Sequence, residues 1–428
     1  MNAAGSPKPH RRLIPGLVAA FVLVAALVVL ALTVTGALGS STPVPSPSEA
    51  RAPSFAPRTT SPTASPPTVD SSSVVCAATE ILRQNEPGGI PLTRAVNVGV
   101  EDLVDARKGH LVDLVHHLDQ VNANTVSIAV GRLDWVKFPW AEHESALSSD
   151  VLETGRDYVA EAIHAFRCTS DGRERRIVLG IDVLLGRQFD REPWLAGRSQ
   201  NGEASNLFAS VSAWKSGPLR ERLVAFAQEV AVRYDPDAIN ITELFFDQYS
   251  YGDDDFADFR ATTGLSDWPR RTDGSIDAQD PAVSGWRTDA ARTVYAELQR
   301  TLDPLGVELT ADVRSPLSPD RLTRSDIGQG YSELLAHVSV LNVWDFPGID
   351  RRLSAFRAAD LAPMLFAPSP DRYSLEVGLW SGLGAIPAEV LAQELGDANI
   401  AGISSVSVTP ASLMSDELWA VVAEAWAR

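Results

Sequence analysis

The chain has 428 residues, 45% hydrophobic and 21% charged, the balance of a globular protein with room for a large core. A net charge of -18 and the lack of any basic stripe exclude a phosphate-backbone partner, so nucleic acid is set aside. Seven histidines show no H-x-H or H-E-x-x-H spacing, and neither G-x-S-x-G nor a P-loop occurs, so no metal site and no cofactor is expected.

Residues 1–12 form a basic tail with Lys8, His10, Arg11 and Arg12. The charge-free apolar run over 13–38 can span a hydrocarbon core of roughly 30 Å as a helix. A secretory signal has a shorter apolar stretch of roughly 7–15 residues, which favours an uncleaved transmembrane signal anchor, although Thr35-Gly36-Ala37 forms a passable cleavage site. In both readings the basic end is cytoplasmic and the remainder extracytoplasmic, so a single-pass cell-membrane protein is expected, or a secreted one if the signal is cleaved. Residues 39–75 are rich in Pro, Ser and Thr, cannot assemble a core, and read as a disordered tether. Function therefore belongs to 76–428. The chain's two cysteines, Cys76 and Cys168, are expected to form a disulfide in an oxidising compartment; the other reading is two buried thiols.

From Arg94 onward β-rich runs alternate with helical stretches. The runs are "RAVNVGVE", "NTVSIAVG", "RIVLGIDVLL", "DAINITELFF", "VELTADVR", "VSVLNVWDF", "APMLFAPS" and "GISSVSVTP". Between them, Leu111, Leu114, Val115, Leu118 and Val121 recur at helical spacing, as do Leu219, Leu223, Phe226 and Val230. Strict alternation means parallel pairing with helical crossovers, and eight units predict a closed (β/α)8 TIM barrel. An open doubly wound sheet is the competing architecture, but "NVGVEDLVDA" after the first strand lacks a dinucleotide fingerprint.

Such barrels place their chemistry at the C-terminal ends of the strands. Strand two runs into Arg132, Asp134, Trp135 and Trp140, and strand three carries Asp182. Strand four gives Glu243, Asp247, Tyr249 and Tyr251; strand five gives Asp312 and Arg314; strand six gives Trp344 and Asp345. Strand seven, read as "APMLFAPS", leads to Ser369 and Asp371, with Glu376 and Trp380 beyond. Carboxylates and large aromatics recur, the combination used on sugars: rings stack on pyranose faces while a carboxyl pair performs acid-base chemistry. If strand four stays regular, Glu243, Phe245 and Asp247 share one face, with burial raising the pKa of Glu243 towards an acid's role. The competing reading is that Glu243 pairs with Arg314 only to close the barrel. The acidic segment after strand four lacks EF-hand spacing and reads as a solvated loop.

The stretch "DPDAINITELFFDQYSYGDDDFADFRATTGLSDWPR" resembles the strand-four region of family-10-like glycosyl hydrolases, TIM-barrel proteins of bacterial cell envelopes. Their D-[DQ]-Y-x-Y mouth is matched by Asp247-Gln248-Tyr249-Ser250-Tyr251, with Gln248 at the second acidic position, and "GRLDWVKFPW" and "TADVR" look like parts of the same barrels. The wider retaining-glycosidase superfamily has its acid glutamate at the end of strand four after an asparagine, where Thr242 precedes Glu243 here. Its nucleophile lies on strand seven, where "MLFAPSP" has no carboxylate, so the resemblance leaves that role to Asp312 or Asp345, or to inversion through water.

The expected protein is thus a membrane-tethered extracytoplasmic glycoside hydrolase of an envelope or environmental polysaccharide. Glu243, Asp312 and Asp345 are its candidate catalytic residues. Asp247, Tyr249, Tyr251, Trp135, Trp140, Asp134, Arg314 and Trp344 are expected to bind substrate. A degenerate barrel that binds glycans without hydrolysis, or an envelope protein-interaction domain, are the alternatives.

Overall fold

The computed structural model describes Cys76 and residues 92–427, apart from 106, 108, 320, 321 and 350–355. The basic tail, the apolar run and the Pro/Ser/Thr-rich segment lie outside the described residues. Among the described residues, no helix is long and apolar enough to cross a membrane.

Eight parallel strands form the centre: β1 (Thr93–Val98), β2 (Thr125–Arg132), β3 (Arg176–Asp182), β4 (Ala238–Thr242), β5 (Glu308–Arg314), β6 (Val340–Asp345), β7 (Tyr373–Gly378) and β8 (Ser405–Thr409). Each pairs with the next in chain order, and β8 pairs with β1 from Thr93↔Ser405 to Val96↔Val408, which closes the barrel. The crossovers carry α1 (His110–Gln120), α2 (Tyr158–Phe166), α3 (Pro218–Tyr234), α4 (Pro281–Leu302), α5 (Tyr331–Leu334), α6 (Ala358–Leu361), α7 (Ala388–Ile400) and α8 (Asp416–Trp426). The fold is a (β/α)8 barrel in which α5 and α6 have shrunk to single turns.

The two faces of the strands differ in kind. Outward residues such as Val96, Val98, Ile177, Leu179, Ile181, Ile239, Ile241, Leu375 and Val377 are buried with Leu118, Leu223, Phe226, Leu298 and Val422 of the helices in one continuous core. Many of the inward positions, which share a face because they lie two residues apart, are polar instead. Asn240, Thr310, Asp312 and Asn342 hydrogen-bond with one another across β4, β5 and β6. Branched apolar side chains usually fill such a lumen; here the mutual hydrogen bonds of Asn240, Thr310, Asp312 and Asn342 make their burial tolerable.

Two local features depart from the sequence expectation. "APMLFAPS" is not strand seven: Ala362–Phe366 is a helical turn, and the strand is Tyr373–Gly378. Pro363 cannot donate to a sheet ladder, whereas "YSLEVG" alternates, with Ser374 and Glu376 on the inner face. In β2, the pairing with β3 shifts between Ala129 and Gly131, so Arg132 comes opposite Asp182 and shares its face. Gly131 stands at φ +125, and a Cβ there would strike the Trp135 carbonyl.

Candidate active site

The regular part of β4 ends at Thr242, one residue before the carboxylate of interest. Glu243 adopts φ 64, the left-handed region that a side chain enters only when its surroundings force it. The Phe245 N–H donates to the Glu243 carbonyl at 3.1 Å across this kink. The expected face shared by Glu243, Phe245 and Asp247 is therefore lost, and the correction matters. A straight strand would follow the inward Thr242 with an outward side chain. The kink instead leaves Glu243 among inner-face charges, those of Asp182, Arg314, Asp312 and Arg132. Desolvation first, then the Asp182 and Asp312 charges, push its carboxyl up to about 7, with Arg314 and Arg132 opposing.

The neighbouring strands complete a ring of charges. Asp182 accepts from Arg132 Nε at 2.7 Å and from the Leu184 N–H at 2.8 Å, while burial raises its pKa against those bonds. Asp312 Oδ1 accepts from Asn240 Nδ2 and Asn342 Nδ2, each at 2.9 Å. Burial raises its pKa too; the two amide bonds, and another from Thr242, lower it. Arg314 lies with its guanidinium 3.9 Å from the Phe245 ring centroid and pairs with Asp247 at 3.3 Å. Glu376, opposite Trp344 in the β6–β7 register, accepts from Asn97 Nδ2 at 3.2 Å. Its pKa is held well above the carboxylate range by burial, then by the Asp312 charge.

Not every expected residue joins this ring. Asp345 follows the inward Trp344 and so faces outward, 0% exposed, against Arg357 at 3.3 Å and the Ala358 N–H at 3.2 Å. Burial, then the carboxyl of Glu394 on α7, raise its pKa well above the usual range. Strand alternation thus removes Asp345 from the catalytic set. Trp140 is a second correction: it is buried in the outer core, stacked on Phe226 at 5.1 Å. Asp134 is buried and accepts from the Gln188 N–H at 2.8 Å, anchoring a loop instead of facing a ligand. Trp135 is half-buried on a short hairpin beside β2, with Lys137 Nζ 4.5 Å from its ring centroid.

The remaining aromatics gather above the lumen. Trp344, Phe245, Ile327 and Phe346 make a small apolar cluster distinct from the main core, with Phe208 packed against it. Tyr249 stacks on Phe208 at 6.2 Å, and Tyr251 lines a cavity of about 380 Å³ beside Asp247 and Gln248. Cys76 and Cys168 are joined as a disulfide just beyond α2. The acidic segment after β4 folds into the helix Asp253–Thr263, whose Asp255 is buried and accepts from the Ser212 N–H at 2.9 Å. Among the described residues, no group of three His, Cys, Asp or Glu is placed to hold a metal ion.

Glu376 stands on β7 itself and not beyond strand seven, because the strand is Tyr373–Gly378 and not "APMLFAPS". The alternation Tyr-Ser-Leu-Glu-Val-Gly was the available signal. Phe208 was missed altogether, since it lies in a hairpin (Ala196–Arg198 with Ala204–Ala209) inserted after β3.

No protein-family model matches the sequence, and no curated protein matches it. The fold is similar to the glycoside hydrolase domain of PgaB (BpsB) from Bordetella bronchiseptica, with a TM-score of 0.55 and 14% identity over 75% of this chain and 94% of that one. It is also similar to a cold-adapted β-galactosidase from Rahnella sp. R3, with a TM-score of 0.56 and 14% identity over 81% of this chain. A β-galactosidase from the psychrophilic Marinomonas ef1 gives 0.55 at 11% identity over 78%. The chain spans only 57% and 59% of those two β-galactosidases. At such identities the likeness is one of fold, and the fold is the (β/α)8 barrel that these glycoside hydrolases share.

Proposed function

We propose that this chain is a glycoside hydrolase in which Glu243 is the general acid. The observation that carries the reading is the conjunction at Glu243: a left-handed backbone, and a carboxyl raised to about 7 amid other carboxylates. Strain of this kind gathers at functional sites, and an acid with a pKa near neutrality is suited to protonating a leaving glycosidic oxygen. Glycoside hydrolysis then needs a second carboxylate, either to attack the anomeric carbon or to deprotonate the water that does. Two inner-face groups fit that role. Asp182 is held by Arg132, and Asp312 is held by two amides. Glu376 also stands on the inner face, accepting from Asn97 Nδ2, with its pKa raised by burial and then by the Asp312 charge. Asp247 and Arg314 would position the sugar beside the acid.

The same reading places the domain outside the cytoplasmic membrane, held by the apolar run over 13–38. The flanking basic residues and the Cys76–Cys168 disulfide, a feature of oxidising compartments, support it. The resemblance to family-10-like envelope proteins suggests an envelope or environmental polysaccharide as substrate. The non-catalytic glycan-binding reading drew on a strand seven without a carboxyl group; β7 carries Glu376, but here the second-carboxylate role falls to Asp182 or Asp312.

The test is the release of new reducing ends from a polysaccharide panel by the full-length chain and by Glu243→Gln. Release by the wild type and its loss in the variant establish the hydrolase. Binding of one glycan with no release by either protein would assign the site to recognition and overturn the catalytic role.

A further inference from the structure

The cleft does not end at the carboxylates. On one side, the Trp344 ring stacks on Phe346 with centroids 4.7 Å apart, and Phe346 meets Trp380 at 5.4 Å. These rings climb from the lumen to a short hairpin, Trp380–Ser381 with Gly384–Ala385, on which Trp380 is 36% exposed. The hairpin is seated closely, since a Cβ at Gly348 would collide with the Trp380 carbonyl. Whereas Trp380 follows β7, the loops after β3, β4 and β5 line a cavity of about 380 Å³, within the range of roughly 300–1,000 Å³ for small-molecule sites. Its lining includes Asp247, the partner of Arg314, and Ile327, a member of the mouth cluster, so it adjoins the same centre.

The two arms differ in chemistry. The cavity presents Ser199, Gln200, Asn201 and Gln248, groups that both donate and accept hydrogen bonds. Its carboxylates are already compensated: Asp247 pairs with Arg314, and Asp326 with Arg324 at 3.0 Å. Its arginine, Arg287, is turned into the protein, donating to the Asp247 and Asp326 carbonyls and to Ser250 Oγ. Among the described residues that line the cavity, the one cation is thus already engaged, and the chain's charge of -18 repels polyanions. The surface suits uncharged hydroxyl and amide groups on one side and the apolar face of a ring on the other.

We propose that the cleft binds a neutral oligosaccharide on both sides of Glu243, one arm in the Gln200–Asn201–Gln248 cavity and the other on Trp380, so that the protein acts within glycan chains and not at their ends. This rests on the glycoside-hydrolase reading, and binding is measured separately from cleavage so that the two fail separately. Full-length Glu243→Gln is titrated calorimetrically with cello-, xylo- and N-acetylchito-oligosaccharide ladders from dimer to hexamer, beside an oligogalacturonate ladder.

The expected result is that one neutral ladder binds about tenfold more tightly at the hexamer than at the dimer, a change of about 1.4 kcal/mol. Adding Trp380→Ala or Gln248→Ala to that variant should each remove most of the gain without changing the affinity for the dimer. Affinity that is flat beyond the dimer, gains that survive both substitutions, preference for the galacturonate ladder, or no binding by any neutral ladder would overturn it. If the expected binding is found and the wild type releases no reducing ends, the two-armed cleft stands and the hydrolase reading falls.

Discussion

The outer and inner faces of the same eight strands follow opposite rules. Outward, Ile239 and Ile241 of β4 are fully buried among helix side chains; inward, Asn240 and Thr242 of that strand bond to Asp312. The outer face is stabilised by removal of apolar area from water, a term that depends on area and tolerates variation in detail. The inner face loses hydration on polar groups and recovers it only through specific partners, so each residue there depends on its neighbours. Two carboxyls make the point. Asp345 and Asp312 lie on adjacent strands, yet Asp345 faces the helices and shares its burial with Glu394, while Asp312 faces the lumen beside Glu243. A barrel that spends its interior on hydrogen-bonded charge has given up packing energy there, as expected where function and not stability sets the residues.

The largest effect separating the faces should come from the acid. Glu243→Gln is expected to lower turnover by about 100- to 10,000-fold while leaving the thermal midpoint equal or higher, read by reducing-end release and calorimetry on one preparation. A comparable loss of fold would show that the inner face is structural after all. The converse is Ile241→Ala on the outer face. It should cost about 2–5 kcal/mol in denaturant unfolding with little change in KM for the fraction that remains folded.

The third prediction concerns pH. The Glu243 carboxyl stands at about 7 in the fold against an ordinary 4.5, so the native state holds the proton more tightly than the unfolded chain. That stabilisation is complete below the ordinary value and disappears as pH rises through about 7. Wild type should therefore lose up to about 3 kcal/mol relative to Glu243→Gln between about pH 4 and pH 8. Parallel stability curves for the two proteins would refute the raised pKa. Turnover should fall over the same upper limb, as the acid loses its proton.

Smaller effects sharpen the contrast. Glu243→Gly should release the strain of a φ of 64 and stabilise the fold by about 1 kcal/mol as it abolishes turnover, a trade visible in paired unfolding and activity measurements. Asp345→Asn should leave kcat/KM within about twofold of wild type, whereas Asp312→Asn should reduce it at least tenfold. Equal losses in the two variants would erase the distinction drawn from strand alternation.

The repeating pattern of short β-rich runs and amphipathic helices determined the barrel. Seven of the eight strands were legible because their outward residues are mostly β-branched or leucine and recur with period two against helices of period 3.6. Strand seven escaped because its neighbour "APMLFAPS" is the more apolar run, and apolarity alone does not separate a strand from a buried helical turn. Glu243, Asp312, Asp247 and Arg314 were also legible, since strand ends in such a fold face one mouth. The sequence could not say which way each side chain turns. A one-residue shift in β2 aims Arg132 at Asp182, a left-handed residue aims Glu243 inward, and unbroken alternation aims Asp345 outward. Side-chain direction in a sheet reverses with every residue, so the smallest irregularity decides it, and irregularities are set by packing between distant segments.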